Sequence, residues 1–446
     1  MRVRLGLALA LGATLWSAAP AAALDRYIPV KAPPGAGPAK YDRVFVQQLG
    51  PSRARNVLVL VPGQNAGAGA ITPVARQIVR RVRRTQVWIV DRREQALEDT
   101  TAFASGDPQR AQDYYLGFRY RRVLGEDAKF VADWGLRRQL GDLRRVIRLA
   151  RAGGRRVILG GHSAGASTAV AYAAWDFGGR PGYRDLYGLV LIDGGLLGSF
   201  RSADLRRAKR ALAAIRRGAV FNDILGLGIP EINGIFAQLG ALWAYKRPDE
   251  PSVLQQYPAL PDAVKPEVRV TNEGLLGFAF DVTTSPEFLS ILHVRAGRLA
   301  TSGDPRGWVD GELTPLRALA KAWAVHSPNA TEWYYPRRLR LDIDAASSLR
   351  QTAAARFLGL RLLHGRRIDL PLYAFSTALT HGGVARGARR LVRRSRIKAA
   401  TIVDDRRTRH LDPLSAAPSR NHFLKSVVPF LRRHTRQPPR PAATAR

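Results

Sequence analysis

The amino-acid sequence predicts an α/β protein with a mostly parallel central sheet flanked by helices. Short apolar segments with the character of buried strands alternate with helical segments between residues 44 and 192. The alternation stops for about 170 residues and returns after residue 368. A strand–helix alternation of this kind is typical of a parallel sheet that is covered on both faces.

The predicted strands are short and apolar, and several of them end at Gly, Pro or Asp. They cover residues 44–48, 56–61, 86–90, 156–159, 188–192, 369–375 and 397–403. The predicted helices cover residues 73–84, 136–151, 164–175 and 421–432. Seven strands and their helices account for the first and last parts of the chain, so residues 24–195 and 368–434 are assigned to one core.

Residues 196–367 lack the alternation and are predicted to form a mainly helical insertion after the strand 188–192. One apolar helix face is built by residues spaced i, i+3, i+4 and i+7, namely Ile232, Ile235, Phe236, Leu239, Leu242 and Trp243. Such a face packs the insertion onto the core. It is also compatible with an apolar slot for a lipophilic group.

The first 23 residues have the pattern of a secretory signal peptide. A basic start, Met1–Arg4, precedes an apolar run, and Ala21–Ala23 supplies a small-residue cleavage site before Leu24. We therefore expect a secreted or cell-envelope protein, with an uncleaved anchor as the alternative reading of the same segment. Residues 435–446 are Pro-rich and basic, and we expect a disordered tail there.

Composition excludes several classes of protein. The chain has 446 residues, no cysteine and a formal net charge of +36. Without cysteine, a disulfide framework, a thiol nucleophile and thiolate zinc sites are ruled out. The arginines form short doublets along the whole chain and are not interleaved with aromatic residues, so we predict no nucleic-acid partner. Because of the positive charge, an anionic surface of the cell envelope is retained as an alternative partner. The sequence does not determine the oligomeric state.

The segment Gly161-His162-Ser163-Ala164-Gly165 follows a predicted strand and begins a helix of small residues. A sharp strand-to-helix turn leaves no room for side chains beside the serine, which explains a glycine two positions before it and another two positions after it. The turn raises the hydroxyl above the edge of the sheet, and the start of the helix offers backbone N–H groups to an oxyanion. We predict that Ser163 is a nucleophile.

With this motif and its context, the chain resembles the α/β-hydrolase superfamily, and within it secreted bacterial lipases and esterases. The resemblance also covers Pro62-Gly63 after an early strand and His410-Leu-Asp-Pro-Leu414 after the last strand. It implies a Ser–acid–His triad in that chain order, no metal and no cofactor. It also implies a lid between the sixth strand and the later strands, where residues 196–367 lie.

A serine hydroxyl needs a base that takes its proton. The resemblance places the catalytic histidine after the last strand, where His410, His422 and His434 occur. We predict His410, in the loop before the closing helix, with His422 as the alternative. The remaining histidines are interpreted as packing or surface residues; they are His162, His293, His326, His364 and His381.

A carboxylate must orient the histidine, and the usual position after the penultimate strand is empty of acids. No Asp or Glu occurs between Phe375 and Val403. Asp193, at the end of the strand 188–192, is the predicted acid. Asp404, Asp405 or a carboxylate of the insertion are the alternatives.

The predicted oxyanion donors are the backbone N–H groups of Ala164 and Gln64. Ala164 directly follows the nucleophile, and Gln64 lies in the Gly-rich turn after the strand 56–61, with Asn65 as the alternative donor. No metal-binding or dinucleotide motif is present in the sequence.

The sequence therefore predicts a secreted serine hydrolase that cleaves carboxylic esters, with a small-molecule or lipid ester as its substrate. Two alternatives use the same fold. One is a peptidase or acyltransferase with the same triad, because a fold does not determine a substrate. The other is a non-catalytic homologue that binds the cell envelope through its positive charge.

Overall fold

A computed structural model describes residues 23–436 of the chain. Most of the predicted leader and most of the predicted tail lie outside the described residues. Within them, no helix is both long enough and apolar enough to cross a membrane.

The centre of the structure is an eight-stranded sheet, and the predicted fold class is confirmed. Two further strands, β7 and β8, form a separate hairpin. In chain order the strands are β1 (Ala23–Lys31), β2 (Arg43–Pro51), β3 (Asn56–Val61), β4 (Thr85–Asp91), β5 (Arg156–His162), β6 (Gly188–Ile192), β7 (Gly297–Leu299), β8 (Trp308–Asp310), β9 (Leu372–Ser376) and β10 (Ala400–Asp404). The order in the sheet is β1-β2-β4-β3-β5-β6-β9-β10. Strand β2 is antiparallel to both β1 and β4, and the remaining pairs are parallel.

Thirteen α-helices are present in the described part of the chain. They are α1 (Ala68–Arg81), α2 (Pro108–Tyr115), α3 (Leu136–Ala150), α4 (Ala164–Ala174), α5 (Leu205–Arg216), α6 (Ile232–Lys246), α7 (Asn272–Phe280), α8 (Leu316–Trp323), α9 (Arg337–Ala346), α10 (Ala353–Phe357), α11 (Gly383–Arg394), α12 (Asp412–Ser415) and α13 (His422–Arg436).

Both faces of the sheet are covered, as its central strands require. In β3 the side chains of Val57, Val59 and Val61 join one buried cluster, while Leu58 and Leu60 join a second. The first cluster contains residues of α3, α4 and α11, and the second contains residues of α1 and α13. Because every residue of β3 is buried, the strand is a continuous apolar run rather than an alternating one.

Residues 193–371 separate β6 from β9 and contain the helices α5 to α10 together with the hairpin β7–β8. Helices are the main regular secondary structure of this insertion, and turns and loops make up most of the rest. The expected apolar face of α6 is buried at Ile235, Leu239 and Leu242. That the insertion acts as a lid stays a prediction.

Some boundaries differ from the sequence prediction. Helix α1 begins at Ala68, five residues before Pro73, because the buried Asp91 at the end of β4 accepts a hydrogen bond from the Ala68 N–H at 2.7 Å. This cap comes from another strand and has no local sequence signal. Strand β1, which pairs along its whole length with β2, was not predicted. Helix α13 extends to Arg436, so Thr435 and Arg436 are helical and do not belong to the predicted tail.

Candidate active site

Ser163 lies in the turn between β5 and α4 with a strained backbone, at φ 54° and ψ −121°. A non-glycine residue with these angles is rare and occurs where surrounding structure enforces it. The Ser163 N–H donates to the Ile192 carbonyl at 2.9 Å, which fixes the turn to β6. A side chain at Gly165 would overlap the Val61 carbonyl, and one at Gly161 would overlap the backbone of Gly165. The turn therefore has the geometry of a nucleophile elbow.

The structure brings Asp193 and His410 together in the interior. Asp193 follows β6 and is 0% exposed, and His410 follows β10 and is 2% exposed. The Oδ2 atom of Asp193 lies 2.5 Å from Nδ1 of His410. The contact leaves the other ring nitrogen, Nε2, free of the carboxylate. Both His410 and Ser163 line one cavity.

Thr377 holds the Asp193 carboxylate from a second side. Its backbone N–H donates to Oδ1 at 2.8 Å and its hydroxyl donates to Oδ2 at 2.5 Å. Burial alone would raise the pKa of Asp193, but the hydrogen bonds from His410 and Thr377 hold that pKa below its usual value. Asp193 is therefore an anion that can orient His410. Thr377 follows β9, in a stretch without Asp or Glu. No sequence pattern there indicated that Thr377 would contact the Asp193 carboxylate.

Three of the alternative site residues, His422, Asp404 and Asp405, have other partners. Asp405 pairs with Nδ1 of His422, and Asp404 pairs with Arg406 at 2.9 Å. None of these four residues lines the cavity that contains Ser163. The structure therefore favours the combination of Asp193 with His410, while the catalytic roles stay predictions.

His162, inside the elbow motif, supports the loop that carries His410. Its Nε2 lies 2.9 Å from the His410 carbonyl oxygen, and the two rings are 4.3 Å apart. Burial, with a smaller contribution from His410, lowers the pKa of His162 to about 3. The ring is therefore neutral at physiological pH and can donate this hydrogen bond. This agrees with its interpretation as a packing residue.

Both predicted oxyanion donors border the cavity. Ala164 is the first residue of α4, where backbone N–H groups have no acceptor within the helix. Gln64 lies in the turn after β3, and its side-chain oxygen accepts a hydrogen bond from Arg340 of α9. Gly63, next to it, approaches Ser163 so closely that an added Cβ would lie 3.1 Å from the serine Cβ. The turn and the nucleophile are therefore adjacent.

A buried arginine, which sequence reasoning missed, holds that turn in place. The Arg92 guanidinium donates to the carbonyls of Pro62 at 3.0 Å and Gly63 at 2.7 Å. It also forms a two-point ion pair with Glu332 of the insertion, at 2.7 and 2.5 Å. Glu332 in turn donates its N–H to the Asn65 carbonyl at 3.1 Å. The predicted oxyanion turn is thus clamped between β4 and the insertion.

The cavity at Ser163 has a volume of about 540 Å³ and lies between the sheet edge and the insertion. A smaller cavity of about 100 Å³ adjoins it inside the insertion. The two share the lining residues Ile224, Asn233, Ala237 and Leu292. Among residues 23–436, no group of three or more His, Asp or Glu side chains is arranged to hold a metal ion.

No family model matches the sequence. No curated protein matches it either. Similar solved structures include a lipase candidate from Sulfolobus solfataricus, with 13% identity, 92% of this chain and 99% of that chain covered, and a TM-score of 0.49. A thermophilic esterase from Thermogutta terrifontis is also similar, with 11% identity, 92% of this chain and 99% of that chain covered, and a TM-score of 0.41. An epoxide hydrolase from Mycobacterium thermoresistibile has 15% identity, 92% of this chain and 98% of that chain covered, and a TM-score of 0.42.

The strand order, the elbow after β5 and the long insertion after β6 define this protein as one with the α/β-hydrolase fold. The solved structures to which it is similar include ones named as lipases, esterases and epoxide hydrolases. At these identities their names transfer no activity to this chain. Its function has to be argued from its own site.

The elbow predicts opposite effects for two Gly→Ala substitutions. Gly165→Ala should cost about 1–3 kcal/mol or more, because the methyl group meets the carbonyls of Val61 and Pro62. Gly141→Ala, in helix α3 with no atom near its Cβ position, should gain about 0.5–1 kcal/mol. Urea unfolding measures both, and equal effects at the two positions would contradict the close packing of the elbow.

The Arg92–Glu332 pair predicts a non-additive stability effect. Arg92→Met should cost about 3–5 kcal/mol, since it leaves the buried Glu332 carboxylate without its partner. Adding Glu332→Gln to this variant should restore part of the loss, because no isolated charge then stays buried. The unfolding free energies of the two single variants and the double variant test this. Strictly additive losses would show that the two side chains do not act as a pair.

Proposed function

We propose that this protein is a serine hydrolase that cleaves carboxylic esters. The observation that carries the proposal is the buried Asp193–His410 pair at the same cavity as the strained Ser163. A carboxylate bound to Nδ1 fixes the tautomer in which Nε2 can accept a proton. A serine in a strand-to-helix elbow is presented to a substrate in the cavity.

In the first half of the reaction, Ser163 Oγ attacks the ester carbonyl carbon and transfers its proton to His410 Nε2. The negative oxygen of the tetrahedral intermediate accepts hydrogen bonds from the N–H groups of Ala164 and Gln64. Each such donor contributes about 3–4 kcal/mol to transition-state stabilisation. The bond to the alcohol oxygen then breaks, and His410 returns the proton to the leaving alkoxide.

In the second half, water replaces the alcohol. His410 Nε2 takes a proton from water, the hydroxide oxygen bonds to the acyl carbon, and the bond to Ser163 Oγ breaks as the serine regains a proton. The products are the carboxylic acid and the free enzyme. Asp193 stays ionised throughout and stabilises the imidazolium.

The smaller cavity is proposed as the site of the acyl chain. Its walls come from α6, α7 and the segments 254–264 and 287–292, and they include Phe236, Leu254, Leu275, Leu276, Phe280, Leu289 and Leu292. Since it joins the cavity of Ser163 through shared residues, a chain attached to the reacting carbonyl can enter it. Burial of each CH₂ group there would stabilise the complex by about 0.8 kcal/mol.

Export belongs to the same proposal. The predicted leader, residues 1–23, would carry the enzyme out of the cytoplasm, and the mature chain would begin near Leu24. Ester substrates of envelope or extracellular origin would then be accessible to it.

Substitution of the proposed triad should abolish turnover of p-nitrophenyl esters. Ser163→Ala should lower kcat by a factor on the order of 10⁶. Asp193→Asn should lower it by about 10⁴, because the amide stabilises the wrong histidine tautomer. Asp405→Asn, which alters the other His–Asp pair, serves as the matched control and should keep wild-type kcat. Full activity in the Ser163→Ala variant would refute the mechanism.

The acyl-chain assignment predicts a shift in chain-length preference. Ala237→Phe places an aromatic ring where the two cavities meet, so it should obstruct long chains more than short ones. The ratio of kcat/KM for the octanoate and acetate esters of p-nitrophenol should fall about tenfold or more. The ratio is taken within one variant, so a general loss of activity cancels. An unchanged ratio would place the acyl chain elsewhere.

A further inference from the structure

One wall of the cavity at Ser163 is basic. Four arginines line it, of which Arg201 precedes α5, Arg207 lies in α5, and Arg337 and Arg340 lie in α9. The two helices pack against each other, so the four side chains come from one side of the cavity. Arg337 and Arg340 are three positions apart on α9 and therefore share a helix face.

A single carboxylate among the lining residues, Asp344, faces these four cations. Asp344 is buried and pairs with Arg207 at 3.1 Å and with Arg340 at 3.4 Å. Arg340 also donates to the side chain of Gln64 in the proposed oxyanion turn. Two of the four guanidiniums are therefore held by protein groups, and Arg340 links the basic wall to the reaction centre.

The other two guanidiniums have no such partner. Within residues 23–436, neither Arg201 nor Arg337 forms a hydrogen bond or an ion pair through its side chain. Both are exposed at the cavity, and Arg201 acts on Asp344 only through space. Four cations against one anion leave this wall with an excess of three positive charges. In a concave site this excess raises the local concentration of anions.

Other lining residues of the cavity are apolar. They include Ala237 of α6, Phe288, Ile291 and Leu292 of the segment 287–292, and Trp323 of α8. Of these, Ala237 and Leu292 also line the smaller apolar cavity. The catalytic cavity thus combines apolar groups shared with the proposed acyl site and arginines that include Arg340 beside Gln64.

We propose that the substrate is an ester with an apolar acyl chain and an anionic alcohol portion, whose carboxylate or phosphate binds Arg201 and Arg337. The proposal rests on the ester hydrolase function given above. Guanidinium groups bind both anions through paired N–H donors, so either oxyanion fits the chemistry of this wall. With the acyl chain directed to the apolar cavity, the leaving alcohol is the part that is left to face the arginines.

The test uses three butanoate esters that differ only in the para substituent of the phenol. They are 4-butanoyloxybenzoate, 4-butanoyloxyphenyl phosphate and the neutral 4-butanoyloxybenzamide. The wild-type protein should hydrolyse at least one of the anionic esters with a kcat/KM about tenfold above that of the benzamide at low salt. The preference should shrink as ionic strength rises, because the arginines are exposed. A preference for the benzoate identifies a carboxylate substrate, and one for the phosphate identifies a phosphate.

Arg201→Gln and Arg337→Gln should each reduce the anionic-to-neutral ratio by about three- to tenfold, mainly through KM. Arg393→Gln, an exposed arginine of α11 outside the cavity, is the matched control and should keep the wild-type ratio. Equal kcat/KM values for all three esters, or the same loss in the control, would overturn the proposed anion site.

Failure of the hydrolase function gives a different result. If the Ser163→Ala variant still hydrolyses the neutral ester 4-butanoyloxybenzamide at the wild-type rate, the serine mechanism is wrong. This conclusion holds whether or not the protein prefers anionic esters. Anion binding is measured independently by titrating phenyl phosphate and benzoate into Ser163→Ala. Binding that weakens with Arg337→Gln but not with Arg393→Gln supports the basic site even without turnover, and binding of neither anion overturns it.

Discussion

The carboxylate of Asp193 connects the parts of the chain on which the site depends. It is buried at the end of β6, accepts hydrogen bonds from Thr377 after β9 and lies against His410 after β10. An ionised carboxylate in the interior is stable only when such donors compensate for the loss of water. The same requirement therefore fixes the relative positions of three strand ends and the orientation of the histidine.

The second constraint is the close approach of backbone segments around Ser163. The strand β3, the turn after it and the elbow meet at Gly63, Gly161 and Gly165. No side chain fits at Gly161 or Gly165, and one at Gly63 would press against Ser163. Arg92 donates hydrogen bonds to the carbonyls of this turn and forms an ion pair with Glu332 of the insertion. The core and the insertion are therefore joined at the proposed reaction centre. The insertion is thus part of the site, because it contributes to the position of the turn as well as to the walls of the cavity.

The insertion also gives the cavity its chemical character. The segment before α5 and the helices α5 and α9 supply arginines to the lining, and α6, α8 and the segment 287–292 supply apolar groups. The chain has a formal charge of +36, and its arginines are spread along its whole length. Arg201 and Arg337 are distinguished by their position, because they line the cavity that contains Ser163.

The sequence by itself indicated the alternation of strands and helices and the elbow at Ser163, and it predicted Asp193 as the acid because no acid follows β9. These features are local: apolar runs, glycines at fixed spacing and the absence of an acid are visible without a structure. Strands 56–61 and 188–192 were predicted with the bounds that the structure shows.

Only the tertiary structure decided the pairing of Asp193 with His410 rather than His422, the support from Thr377, and the clamp of Arg92 with Glu332. It also decided the start of α1, which Asp91 caps from β4, and the basic wall of the cavity. Each of these joins residues that are distant in sequence, Arg92 and Glu332 by 240 positions. Such contacts depend on how the sheet and the insertion pack, and no local pattern of residues encodes that packing.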